Sequence, residues 1–332
     1  MPFFIRRKAL LSAGLCLGAL AALGAGCATL NLKWSELWSV KKTVQTPSAQ
    51  PQVAGATSVA PLPDKRLLEV SLVAGANAGE TRANAQFRLW VPVPLTRPGQ
   101  EISGLKYQTE SIPFIGCDKK YNNALLYVEG KSDAKEPAPT VRMEFKVKIN
   151  RLEPYDAQEK DRDVFAAPSN PNPPAEAQEA AEKASSLKDS HEKARSVAEI
   201  FSKTDGTSFA ISRLFAHTMR RLGVTARVLC GVRIATIEKP APEAWAWAEY
   251  LDETGKWNPV DAAAMRTTPT AADTYFRKLP ADRFCLTVGQ EILLEPPQNG
   301  GIIEFMGNPY AETNGKPSAA VYEITCRDKN ED

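Results

Sequence analysis

Histidine is the scarcest resource in this sequence: two residues, His191 and His217, in a chain of 332. A structural or catalytic zinc site draws on imidazoles or clustered thiolates. The six cysteines fall at no metal-ligand spacing, so neither a metal nor another cofactor is expected. An excess of one charge is also missing. Lys and Arg number 41 against 39 Asp and Glu, a net charge of +2, and no basic stripe gathers them, which excludes a nucleic-acid role. There is no glycine-rich phosphate loop, no dinucleotide fingerprint and no GxSxG elbow, although Ser208 closely follows Gly206.

Long apolar runs are confined to the start of the chain. Arg6, Arg7 and Lys8 precede an Ala/Leu-rich stretch from Ala9 to Ala25, the pattern of an export segment over residues 1–27. Cys27 after Gly-Ala-Gly is a candidate bacterial lipidation site. Ordinary cleavage or a retained anchor are the alternatives, since Gly24 stands where a leucine is usual. The Arg6-Arg7 pair permits twin-arginine export. The protein is therefore expected outside the cytoplasm, as a membrane-anchored lipoprotein or in the periplasm. Residues 28–64 read as a flexible tether. Leu32, Trp34, Leu37 and Trp38 could lie at a membrane interface, and a Pro/Ser/Ala/Gln stretch that cannot bury enough apolar surface to fold follows them.

Two modest domains are expected beyond the tether. Residues 65–152 hold five strand candidates in series, from "RLLEVSLVA" to "VRMEFKVKINRLE". In the last, Val141, Met143, Phe145, Val147 and Ile149 alternate with polar residues. Such a series predicts a β-sandwich, with Pro92 and Pro94 marking an edge or a strand end. Residues 153–186 form a connector of Pro/Asn loop and a Glu/Ala run that could start a surface helix. Residues 187–327 read as helices on an antiparallel sheet, an α+β arrangement overall. Ile211, Leu214, Phe215, Met219 and Leu222 make one helical stripe, Asp205 or Thr207 is the candidate N-cap, and Gly223 ends the helix. Alternation from Val224 to Ile234 predicts a strand, "AWAWAEYL" a second and "KWNPVDA" a third, with "DETG" as turn.

The stretch from Gly206 to Ala262, with "RRLGVTAR", "WAWAE" and "WNPVD" in order, resembles the core of the transglutaminase-like superfamily of papain-like cysteine enzymes. The resemblance implies a nucleophile at the start of the helix, a base on the next strand but one and an orienting carboxylate after the turn. Those positions hold Ser208, Trp245 and Asp261. A serine needs an adjacent base, and an indole is a donor only. The implied reading is an envelope protein that binds a peptide, protein or polymer without cleaving it, with Trp245, Trp247 and Trp257 as candidate binding surface. The alternatives are a hydrolase or acyl-transfer enzyme using Ser208 or Cys230 with an unidentified base, and a purely structural envelope lipoprotein. His217 lies about 13.5 Å along the helix from Ser208 and out of phase with it, and His191 falls in the helix before. The family's loop ahead of the nucleophile is shortened to "SKTDGT". Of Cys117, Cys230, Cys285 and Cys326, the pair Cys285–Cys326 is the candidate disulfide, with independent buried thiols as the alternative.

Overall fold

The computed structural model describes residues 62–76, 84–131, 140–166, 174–234 and 242–329. The chain divides into two units, Met1–Ser58 and Val59–Asp332. The export segment, Cys27 and nearly all of the tether lie outside the described residues, all of which belong to the second unit. Among the described residues no helix is long and apolar enough to cross a membrane.

Period-two alternation builds the first part. Strands β1 (Lys65–Ala76), β2 (Gln86–Val93), β3 (Gln100–Thr109), β4 (Phe114–Cys117), β5 (Ala124–Lys131) and β6 (Thr140–Asn150) form two antiparallel sheets. In β6 every second residue is buried, as a strand with one face on a core requires. Leu68, Leu72, Leu89, Val91, Leu126, Val128, Met143 and Val147 meet between the sheets. β2 is a central strand, so Pro92 marks its end and not an edge.

The chain returns to this sandwich at its end. Strands β12 (Tyr310–Thr313), β13 (Lys316–Ser318) and β14 (Ala320–Asp328) complete the sheets, in the orders β14-β1-β6-β3 and β13-β12-β2-β5-β4. The final strand, expected to close the helix-and-sheet domain, instead pairs with β1 from Leu68↔Asp328 to Ala76↔Ala320. The physical reason is the open hydrogen-bonding edge of β1, together with Cys326 and Ile324, which join the sandwich core.

The third sheet has the order β11-β8-β9-β10-β7, built from β7 (Tyr155–Asp156), β8 (Ala226–Ile234), β9 (Pro242–Leu251), β10 (Lys256–Val260) and β11 (Arg283–Val288). Helices α1 (Glu159–Ala166), α2 (Ala175–Ala184), α3 (Ser190–Phe201), α4 (Ser208–Arg221) and α5 (Ala262–Thr267) accompany it. The connector is thus structured, and it supplies β7, α1 and α2. The Glu/Ala run is the expected surface helix, with Glu176, Gln178, Glu179, Glu182 and Lys183 exposed on its outer face. Ala177, Ala180, Ala181 and Ala184 recur at helical spacing and are buried, and their small side chains let α2 approach α4 until Thr218 Oγ1 donates to Ala177 O at 3.2 Å.

The two parts share strands. Phe284 and Leu286 of β11 enter the sandwich core while Cys285 and Val288 join the other. Gln100 of β3 clamps Cys285 from both sides: its Nε2 donates to Cys285 O at 3.0 Å, and Cys285 N donates to its Oε1 at 2.6 Å. Gly231 permits this joint, because a Cβ there would lie 2.0 Å from Phe284 O.

Candidate functional site

Helix α4 positions the first residue of interest. Thr207 caps it, its Oγ1 accepting from Ala210 N at 3.2 Å, and Gly223 leaves it at φ +77°, a geometry that favours glycine. Ile211, Leu214, Phe215 and Met219 face the sheet. Ser208 is therefore held at the N-terminal turn, 6 % exposed, and its Oγ accepts from Ala246 N of β9 at 3.2 Å. Arg266 pins the short loop before it by donating to Thr204 O and Gly206 O, both at 2.8 Å.

Strand β9 brings up Trp245, half-buried, one residue from Ser208's partner. Asp261 follows β10 and caps α5, its Oδ1 accepting from Ala264 N at 2.8 Å. Trp245 Nε1 donates to Asp261 Oδ2 at 2.8 Å, and Arg283 Nη1 donates to the same oxygen. The chain thus gathers Ser208, Trp245 and Asp261 at one place, with an arginine the sequence did not single out. Arg283 is buried between Asp261 and Asp282, with Nε 2.7 Å from Asp282 Oδ1. Burial opposes its charge, but the two carboxylates outweigh this and push its pKa above the ordinary arginine value. Arg233 stacks over the Trp245 ring at 4.5 Å and reaches Asp282 at 3.3 Å.

The chemistry open to this arrangement follows from its donors. Asp261, 0 % exposed, already accepts from an indole, a guanidinium and a backbone N–H, so its charge is neutralised in place. Trp245 occupies the spot where a base would stand and can only donate. Neither histidine replaces it. His191 Nδ1 sits 2.7 Å from Tyr250 Oη, about 17 Å along β9 from Trp245 at the usual strand rise. His217 is buried on α4, and burial, then the charges of Arg220 and Arg213, depress its pKa to about 4.

Three other sequence expectations change. Cys230 is fully buried beside Cys285, and burial raises its thiol pKa well above the ordinary value, the opposite of what a nucleophile needs. All four described cysteines are free thiols. Cys285 lies in the third sheet and Cys326 in the sandwich, which removes the expected pair. Trp257 and Trp247 are buried. Trp257 Nε1 donates to Asp161 Oδ2 at 3.0 Å, so of the three tryptophans only Trp245 retains surface. Among the described residues no cluster of side chains could hold a metal ion.

Residues 168–262 match the model of the transglutaminase-like superfamily, and the chain carries a transglutaminase-like domain. A solved structure from Cytophaga hutchinsonii, described as a candidate cysteine protease, superposes with TM-score 0.50 at 11 % identity, over 81 % of this chain and 91 % of that one. That likeness is one of fold. The periplasmic domain of TgpA from Pseudomonas aeruginosa aligns with TM-score 0.30 at 13 % identity, over 60 % of this chain and 96 % of that one. A comparison with curated proteins returns no match.

Proposed function

We propose that this is an exported transglutaminase-like protein of the cell envelope that binds a peptide, protein or envelope polymer and does not turn it over. The observation that carries the reading is the 2.8 Å bond from Trp245 Nε1 to Asp261 Oδ2. It fills the base position with a group that accepts no proton and ties up the carboxylate that would orient a base. The half-exposed Trp245 ring offers a flat apolar face and a stacked Arg233 cation, which suits recognition of an extended polar chain. Export rests on the basic and apolar residues 1–27, and anchoring on Cys27 or the apolar run itself.

The test is to incubate the full-length chain, in detergent, with a pool of peptides and peptidoglycan fragments, beside Ser208→Ala and Trp245→Ala. Retention of one fragment class without new products is expected, unchanged in Ser208→Ala and weakened roughly fivefold or more in Trp245→Ala. Product formation that disappears in Ser208→Ala would overturn the proposal.

A further inference from the structure

Residues Trp247 and Glu249 share one face of β9, opposite the Ala246, Ala248 and Tyr250 face on which Phe215 of α4 packs. Their face is turned to the sandwich, where a cavity of ≈ 50 Å³ lies between β9 and the ends of β3 and β6. Trp247, Glu249, Arg227, Arg97, Leu229 and Cys285 are among its lining residues. Glu249 is 0 % and Trp247 2 % exposed. One oxygen of Glu249, Oε2, accepts from Arg227 Nε and Tyr155 Oη, each at 2.8 Å. The other, Oε1, has no partner among the described residues, and neither has Trp247 Nε1 or Arg97 Nε.

One such orphan is unusual in a folded interior. Three on residues lining one cavity define a pattern of two donors and one acceptor. Its volume of ≈ 50 Å³ is several times the roughly 10–15 Å³ that one water molecule needs on the same measure. We propose that this cavity is a binding site for a primary amide. The amide oxygen has two lone pairs, which Trp247 Nε1 and Arg97 Nε would fill, and its NH₂ would donate to Glu249 Oε1. A carboxylate of the same shape would set an oxygen anion against Glu249 Oε1, so the site discriminates against it. The volume admits a molecule the size of formamide or the head of a larger amide. The cavity shares Arg283 with the Ser208–Trp245–Asp261 site, but the proposal does not rest on the binding role proposed for that site.

The test is an NMR titration of the ¹⁵N-labelled full-length chain in detergent micelles with formamide, and with formate as the isosteric control. The Trp247 indole signal is assigned as the one lost in Trp247→Phe. A saturable shift of that signal with formamide and none with formate is expected, and Arg97→Ala should weaken the apparent affinity roughly fivefold. The Trp90 indole, held on Pro296 O at 2.9 Å, is the internal control for a general solvent effect. The proposal fails if the Trp247 signal does not move saturably, if formate moves it equally, if Trp90 follows the same curve, or if Arg97→Ala titrates like wild type. Water alone in the cavity would give the first of these results.

Discussion

The sandwich and the helix-bearing sheet fill their interiors by different rules. Between the sandwich sheets the core is a layer of apolar side chains with the Met143 and Cys326 sulfurs among them. The ions of this part lie outside that layer, Glu312 buried against Arg88 at 3.1 Å and Arg66 against Asp328 at 2.6 Å. The other part buries Asp261, Glu249, Asp282, Arg283, Arg227 and His217. Asp261, Glu249 and Asp282 each meet an arginine, while Asp252 is held by Thr254, Asn258 and the Lys256 N–H. Arg227 stacks on Trp257 at 3.9 Å and bonds Glu249 at 2.8 Å, much as Arg283 serves Asp261. Hydrophobic layers depend on pattern and volume, and many residues satisfy them. Buried ions depend on a named partner, and removing that partner strands a charge.

The largest test of this contrast is Arg283→Met. It leaves Asp261 buried without its cation and should lower unfolding free energy by about 3–5 kcal/mol, read from urea denaturation. Leu72→Ala in the sandwich should lose a comparable about 2–5 kcal/mol through an unfilled cavity. The two losses differ in kind. Adding Asp261→Asn to Arg283→Met should recover more than half of the first loss, because the stranded charge is gone. If nothing is recovered, the value of Arg283 lies in its packing over Trp247 and Tyr275, whose rings are 5.7 and 5.6 Å away, and the contrast with the sandwich disappears.

The same difference governs what the sequence discloses. Val141 to Ile149 alternate, and that alone places β6 on a core. Helix α4 declares itself by its stripe, its Thr207 cap and Gly223. Ser208, Trp245 and Asp261 were legible through their order around these elements. Arg283 was not, because its role depends on β11 arriving beside β8, and no local pattern announces a partner 22 positions from Asp261. The placement of β14 was hidden for a similar reason. A strand that alternates can join any open edge, and its pairing with β1 is a long-range choice. The outer face of α2 was legible in its Glu, Gln and Lys residues, but its packing face was not, because alanine, neutral in periodicity, supplies it.

The second test concerns acid. The His217 pKa falls from the ordinary 6.5 to about 4 in the folded chain, so the unfolded chain takes up a proton first. Its contribution to stability is complete above pH ~6.5 and is lost as pH falls toward ~4, by up to about 3 kcal/mol. His217→Gln should therefore be less acid-sensitive than wild type across that window in denaturation curves. Leu72→Ala should instead run parallel to wild type, since it leaves His217 and its surroundings in place. A His217→Gln curve that also runs parallel would mean the imidazole titrates as it does in water.

The smallest effect compares two tryptophans of the third sheet. Trp257→Phe and Trp247→Phe remove the same atoms from buried sites, so the losses of packing roughly cancel in their difference. Trp257→Phe also breaks an indole bond to the Asp161 carboxylate at 3.0 Å, whereas Trp247→Phe deletes an N–H with no protein partner among the described residues. Trp257→Phe should therefore cost about 1–2 kcal/mol more in paired urea titrations. Equal costs would mean that the Trp247 N–H gains as much from whatever occupies the cavity as Trp257 gains from Asp161, and the occupant would then be part of the folded structure.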